Sequence, residues 1–312
     1  MKILVTGVNG LVGNSIIKIL SKSDHKVFKS SRRIEGLADH KVDITLKDDL
    51  ELFFAKFNPD VVINSAAMAN VDLCETEKKL CDDVNINGVR NLVDVCLKYD
   101  CYLTHISTDY IFDGQKKSGI YLESDSPCPQ GYYAKSKLEG EKIIISSNLK
   151  YSILRTILVY GIHEKLNIVT YIKKSLEEGN TISLVDDQIR MPTYVDDLAA
   201  ACVSASEKSA VGIFNVCGPE QMSYLEIGNR IADYFSLDKK LINHVKTKDL
   251  NQKALRPFKT GFDLEKSIRF LGYNPTSFNN SSTRLSISFL FCFLVFKPKD
   301  MLSLTVKLGN KA

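Results

Sequence analysis

The apolar positions along this chain alternate between short continuous runs and longer stretches at helical spacing. Lys2–Thr6 is an apolar run that ends at glycines, and Leu11–Ser21 repeats its apolar residues with a helical period. Lys26–Ser30 and Lys41–Ile44 read as a second and a third strand, followed by an amphipathic helix over Asp48–Phe57. Asp60–Asn64 is a buried strand led in by Asn58-Pro59. Glu77–Lys98 predicts one long helix, with Leu80, Val84, Val89, Leu92, Val93 and Cys96 on its buried face. Tyr102–Ser107 is a fifth strand, Tyr132–Ser146 a helix and Tyr151–Arg155 a sixth strand. Strand and helix units of this length predict an α/β fold with a doubly wound parallel sheet over residues 1–156.

From about residue 157 the alternation loosens. Val169–Glu178, Val195–Glu207 and Tyr224–Phe235 read as helices, and Ile182–Leu184 and Gly212–Val216 as short strands. They suggest a smaller substrate lobe over 157–280, with a soft boundary and some exchange of chain between lobes. Residues 281–312 form an atypical tail. Its run Arg284–Phe296 is rich in Phe, Leu and Val but too short for an ordinary membrane span. It is expected to lie outside any active site and to behave as a sticky segment.

Composition narrows the classes. The 312 residues are 44% hydrophobic, enough for a sizeable core, and the net charge of +4 with no basic aromatic stripe argues against nucleic acid. No export signal precedes the first strand, so a cytoplasmic protein is expected, with no membrane partner. The eight cysteines form no Cys-x-x-Cys and read as reduced thiols. The five histidines, at 25, 40, 105, 163 and 244, have no metal-ligand spacing, so no metal site is read from them.

Thr6-Gly7-Val8-Asn9-Gly10-Leu11-Val12-Gly13 joins the first strand to the first helix. Gly7 permits the tight turn, Gly10 lets backbone approach a pyrophosphate, and Gly13 lets helix and sheet pack closely. The free N–H groups of the helix start then face negative charge. This is a Rossmann-like dinucleotide loop, and Asn9, Leu11 and Val12 belong to it. The second strand runs into Arg32-Arg33, where a cofactor lacking a 2′-phosphate would usually meet an acidic residue. NADPH is therefore the expected cofactor, with NADH as the alternative. Asp43-Ile44 is placed to flank the adenine. The small residues of Asn64-Ser65-Ala66-Ala67-Met68 leave room for the ribose and nicotinamide.

Reducing a ketone needs a hydride and a proton. Tyr133 and Lys137 stand one helical turn apart on one face, and a nearby ammonium should lower the phenol's pKa. Lys137 can also reach a cofactor ribose. Thr108, at the end of the fifth strand, can hydrogen-bond the substrate oxygen. Tyr132 is a rival to Tyr133, but its partner four residues on is Ser136, which carries no charge.

These pieces together resemble the extended short-chain dehydrogenase/reductases, and within them the dTDP-4-dehydrorhamnose reductase family. The resemblance is carried by Thr6–Gly13, Asn64–Ala67, Asn85 and Ser107-Thr108-Asp109-Tyr110-Ile111-Phe112-Asp113-Gly114. It continues through Glu123, Asp125, Tyr133–Glu141, Leu154–Thr156, Val159–Gly161, Pro192-Thr193, Asp197–Ala199 and Arg256-Pro257. It covers about residues 1–275, and Ser107–Gly114 is its specific part. It implies Thr108, Tyr133 and Lys137 as catalytic residues and Asn85 at the cofactor. It implies Asp109 and Tyr110 near the sugar, and Arg256 in the substrate lobe. The implied activity is NADPH-dependent reduction of a nucleotide-linked 4-keto-6-deoxysugar on the way to dTDP-L-rhamnose, in a chain that can form a homodimer. Magnesium is left open, because the family's C-terminal acidic ligands have no recognisable counterpart here. The family often has a Trp before its Val-Tyr-Gly run, where this chain has Leu158. The chain is also similar to the regulatory β subunit of methionine adenosyltransferase, so an NADP-binding regulatory subunit is the alternative. A dehydratase would need Asp-Glu after the Thr, but Asp109 is followed by Tyr110; an epimerase would carry a Ser-rich stretch instead.

Overall fold

The computed structural model describes residues 1–281; the apolar run Arg284–Phe296 and Cys292 lie outside the described residues. The chain begins β1 (Lys2–Thr6), α1 (Leu11–Leu20), β2 (Lys26–Ser31), β3 (His40–Lys41), α2 (Lys47–Phe57) and β4 (Val61–Asn64). Three helices follow, α3 (Val71–Thr76), α4 (Lys78–Asp82) and α5 (Gly88–Lys98), then β5 (Tyr102–Thr108), the short β6 (Ile120–Tyr121), α6 (Tyr132–Ile145) and β7 (Tyr151–Thr156). Next come β8 (Val159–Tyr160), α7 (Ile168–Glu177), β9 (Ile182–Val185), β10 (Ile189–Arg190), β11 (Thr193–Tyr194) and α8 (Val195–Glu207). The described chain closes with β12 (Gly212–Val216), β13 (Met222–Ser223), α9 (Tyr224–Phe235), β14 (Ile242–Val245), β15 (Gly261–Phe262) and α10 (Glu265–Leu271).

Seven strands form one parallel sheet in the order β12-β7-β5-β4-β1-β2-β3. The order reverses between β1 and β4, and the crevice above that point is where doubly wound sheets take ligands. Side chains alternate across the sheet, so its two faces feed two cores. Ile3, Val5 and Phe214 meet α1 and α8 through Ile16 and Leu198. Leu4, Val62 and Leu103 meet α2, α5 and α6 through Phe54, Leu92 and Ile144. A further core gathers Tyr160, Ile172, Leu184, Ile227 and Phe278.

Three expectations need correction. Gly212–Val216 is an edge strand of the central sheet, paired with β7, and α8 packs on α1 beneath that sheet. Local pattern identifies a strand but not the neighbour it will pair with. The third strand stops at Lys41. Asp43 closes a turn there, its Oδ1 accepting from the backbone N–H of Thr45 at 2.9 Å and its hydroxyl at 2.8 Å. The helix expected over Glu77–Lys98 starts at Lys78 and is wound as a π turn at Asp83–Asn87. That turn packs against α6: a Cβ on Gly140 would fall 2.7 Å from the carbonyl oxygen of Asn85. It also turns Asn85 inward.

Candidate active site

The glycine loop is built by contacts that leave no room for side chains. Gly7 has φ +70°, and a Cβ there would lie 2.9 Å from the Ala66 backbone; one on Gly13 would lie 2.4 Å from the Gly7 carbonyl oxygen. Gly10 differs: its nearest neighbour would be that same oxygen, at 3.3 Å. Gly10 caps α1 without any side-chain bond, and the first turn, which starts with Leu11 and Val12, holds no acidic residue. The helix start therefore presents bare N–H groups and positive dipole, as a pyrophosphate requires.

Asn9 works sideways. Its Nδ2 donates to the Glu35 carbonyl at 2.9 Å, and its Oδ1 accepts from the Leu37 N–H at 2.9 Å. It clasps the loop that carries Arg32 and Arg33, both exposed just beyond β2. The side chain of Ile44 is 3% exposed and packs in the sheet core against Gly88, so only its backbone can face an adenine.

A cavity of about 350 Å³ opens at the carboxyl ends of β4, β5 and β7. Its walls include Val12, Ala66, Ala67, Thr108, Asp109, Tyr110, Tyr133, Lys137 and Arg190. Met68 stands behind this wall. Its N–H donates to Asn85 Oδ1 at 2.9 Å, and Asn85 Nδ2 donates back to its carbonyl at 3.1 Å and to Ser136 Oγ at 3.0 Å. The buried Asn85 therefore braces the 66–68 segment of the cavity wall. Ser107 Oγ is buried at the cavity with no partner among the described residues. That orphan hydroxyl, the open Gly10 floor and the uncapped helix start fit a dinucleotide.

Tyr133 is half-buried in the cavity wall, with its ring 5.9 Å from Tyr110 and nearly perpendicular to it. Burial pushes its phenol well above the ordinary value, and the hydrogen bond with Thr108 opposes that rise. The expected lowering by Lys137 is not found. Lys137 Nζ instead donates to the Ile106 carbonyl at 2.7 Å and lies 3.1 Å from His105 Nε2. Lys137 is 2% exposed, and burial brings it down to about 8, against smaller opposing effects of Glu141 and Cys81. Tyr133 is thus held protonated, the form in which it can act as an acid.

Asp109 is turned into the protein. It accepts from the Thr260 hydroxyl and lies 3.8 Å from Arg190 Nε, and burial raises its carboxyl. Tyr110 is the nearer sugar candidate, because it lines both this cavity and an adjoining one of about 480 Å³. Arg256 lines only the adjoining cavity, with Tyr224, Gln188 and Gln252, and pairs with Asp72 at 2.7 Å. The sequence reading missed Arg190, a fully buried guanidinium 5.7 Å from the centre of the Tyr110 ring. It also missed His105. A charged residue in the apolar setting of Gln188-Ile189-Arg190-Met191 was the available signal for the first. Among the described residues no group of three or more His, Cys, Asp or Glu could hold a metal ion, and no helix is long and apolar enough to cross a membrane.

Comparison with known proteins agrees with this geometry. The family model described as RmlD substrate binding domain matches residues 1–288. A dTDP-4-dehydrorhamnose reductase of Aggregatibacter actinomycetemcomitans is 32% identical over 291 residues, spanning 90% of this chain and 96% of that protein. The methionine adenosyltransferase 2 subunit beta of Rattus norvegicus is 32% identical over 245 residues, spanning 76% of this chain and 72% of that protein. The crystal structure of dTDP-4-dehydrorhamnose reductase from Bacillus anthracis in complex with NADP has a TM-score of 0.84 at 28% identity, covering 92% of this chain and all of that one. With its glycine loop, its Thr108, Tyr133 and Lys137 and its seven-stranded parallel sheet, the chain belongs to the RmlD substrate binding domain family.

Proposed function

We propose that this protein is an NADPH-dependent oxidoreductase that reduces the 4-keto group of a nucleotide-linked 6-deoxysugar, with dTDP-4-dehydrorhamnose as the expected substrate. The observation that carries the reading is Tyr133: a protonated phenol in the cavity at the carboxyl ends of β4, β5 and β7, hydrogen-bonded to the Thr108 hydroxyl and across from Val12 at the start of α1. NADPH, when bound, supplies the hydride. Gly10 and the start of α1 hold its pyrophosphate, Arg32 and Arg33 its 2′-phosphate, and Ala66 and Ala67 the nicotinamide side.

Thr108 orients the carbonyl oxygen, and Tyr133 gives its proton to that oxygen as negative charge develops there. The raised phenol pKa keeps the proton in place until an oxyanion more basic than the phenolate forms. Tyr110 and the adjoining cavity with Arg256 take the rest of the nucleotide sugar, where a guanidinium suits diphosphate oxygens. The reaction belongs in the cytoplasm, where NADPH and nucleotide sugars are both available.

The test is to incubate the protein with NADPH and a panel of nucleotide 4-keto-6-deoxysugars and to follow cofactor absorbance. Oxidation with the dTDP-linked sugar supports the reading. The similarity to methionine adenosyltransferase 2 subunit beta keeps a regulatory role as the second reading. Such a subunit would bind NADPH and oxidise it with no member of the panel.

A further inference from the structure

A file of hydrogen bonds runs from β1 through the interior to Lys137. Asn64 Oδ1 accepts from the Thr6 hydroxyl at 2.6 Å and from the backbone N–H of Ala66 at 3.2 Å. A backbone N–H can only donate, so the amide atom facing Ala66 is the oxygen. The other amide atom, Nδ2, therefore faces His105 Nδ1, at 3.0 Å. An amide nitrogen has no lone pair to offer, so His105 Nδ1 must accept. A ring with one accepting nitrogen is neutral and carries its only proton on Nε2. Burial also holds His105 well below the ordinary histidine range.

That Nε2–H points at Lys137 Nζ, 3.1 Å away. An ammonium has three donors and no acceptor, so it would set hydrogen against hydrogen. A neutral amine would accept from His105 and still donate to the Ile106 carbonyl. His105 is 1% exposed and Lys137 2%, which leaves little room for water to relieve the contact. The opposite tautomer would require Asn64 to flip and lose its bond to Ala66.

We infer that His105 is a positioning residue for Lys137: its Nε2–H, fixed by Asn64, favours the lysine as a neutral amine in the ligand-free protein. The other groups facing Lys137 pull the opposite way or are neutral. Glu141, one turn further along α6, favours the ammonium but is itself held by Arg155, and Cys81 from α4 acts in the same sense. Tyr133, one turn earlier, is protonated. Burial, set against Glu141 and Cys81, leaves Lys137 at about 8, where the ammonium would still predominate at neutral pH; the donated bond from β5 is the added push toward the amine. This deepens the proposed function and takes its catalytic meaning from that reading. An uncharged Lys137 adds no positive charge beside the Tyr133 phenol, which its own burial already holds protonated.

The test uses the full chain without cofactor or substrate. Nitrogen-15 NMR of histidine-labelled protein reads the tautomer of His105, assigned by its disappearance in His105→Gln. A protonated Nε2 with a bare Nδ1 is expected; a protonated Nδ1, or a doubly protonated ring near neutral pH, overturns the inference. Lysine labelled at Cε and Nζ then follows the titration of Lys137, assigned by its loss in Lys137→Met. His105→Leu removes the donor and should raise the midpoint by about one pH unit. His105→Gln offers an amide donor and should move it less. A fall in His105→Leu would mean that the ring had been accepting from an ammonium, and no movement would mean that it only fills space; either result overturns the inference. The tautomer measurement needs no stable variant. Neither readout involves a sugar, so an expected tautomer in a protein inactive on the whole panel would count against the proposed function alone.

Discussion

Tyr132 and Asp82 hold each other, hydroxyl to carboxylate, at 2.7 Å. That bond separates two adjacent tyrosines. The Tyr132 phenol is pushed up to about 12, first by this bond, and it does not line the 350 Å³ cavity. Tyr133, one position on, does. Tyr133→Phe should lower turnover by about 10²–10⁴-fold with cofactor affinity little changed. Tyr132→Phe should keep most of the turnover. Near-normal rates in Tyr133→Phe would remove that residue from the mechanism.

Arg32 and Arg33 are exposed beyond β2, next to the glycine loop. If they take the 2′-phosphate, replacing both with Ala should weaken NADPH binding by about 1–3 kcal/mol and leave NADH nearly untouched. Titration calorimetry with the two cofactors checks this. Equal losses for both would show that the arginines do not discriminate between them.

Arg155 and Glu141 form a two-pronged pair at 2.7 and 3.1 Å, with side chains 3% and 0% exposed. The pair ties α6, which carries Tyr133 and Lys137, to β7. Removing one partner strands a buried charge, so Arg155→Met or Glu141→Leu alone should cost about 3–5 kcal/mol. The double variant should recover much of that loss. Denaturant unfolding of the three proteins measures it, and a double variant as unstable as the sum of the singles would refute the argument.

Lys137 makes stability depend on pH with a definite sign. Burial, Glu141 and Cys81 set its pKa at about 8 in the folded protein, and the bond from His105 can only lower it further, against an ordinary value of about 10.4 in an unfolded chain. Between the two the unfolded chain binds the proton and the folded protein does not. Stability therefore rises with pH across that window, by up to about 1.4 kcal/mol per pH unit from this residue. Below the window the cost of burying the ammonium is constant. Lys137→Met lacks the effect, so the difference between wild type and variant should move toward the wild type from pH 8 to pH 10. Parallel curves would contradict it.

Much of the fold is written locally. The apolar run before Gly7 and the periodic run after it define β1 and α1 without help from the rest of the chain. β12 is different. Gly212–Val216 reads as a strand, but its pairing with β7 depends on where Tyr151–Thr156 lies, some sixty residues earlier. The π turn at Asp83–Asn87 is also not written locally: its apolar spacing matches an ordinary helix, and its close contact with Gly140 comes from α6, some fifty residues on. In the site, Tyr133 and Lys137 were legible because one helix presents both. His105 was not: within Tyr102–Thr108 it reads as a core residue of a strand. Its meaning comes from Asn64 on β4 and Lys137 on α6, which only the tertiary structure brings to its two ring nitrogens.

The clasp between Asn9 and the backbone of Glu35 and Leu37 bears on redesign. One side chain ties the glycine loop to the loop that carries Arg32 and Arg33. Swapping that loop whole, for one taken from an NADH enzyme, would release both of Asn9's bonds and loosen the floor along with the specificity. Editing Arg32 and Arg33 in place, with residues 35–37 left intact, separates the two. If Arg32 and Arg33 read the 2′-phosphate, point changes there should shift cofactor preference with the glycine loop intact, whereas a grafted loop should disturb it.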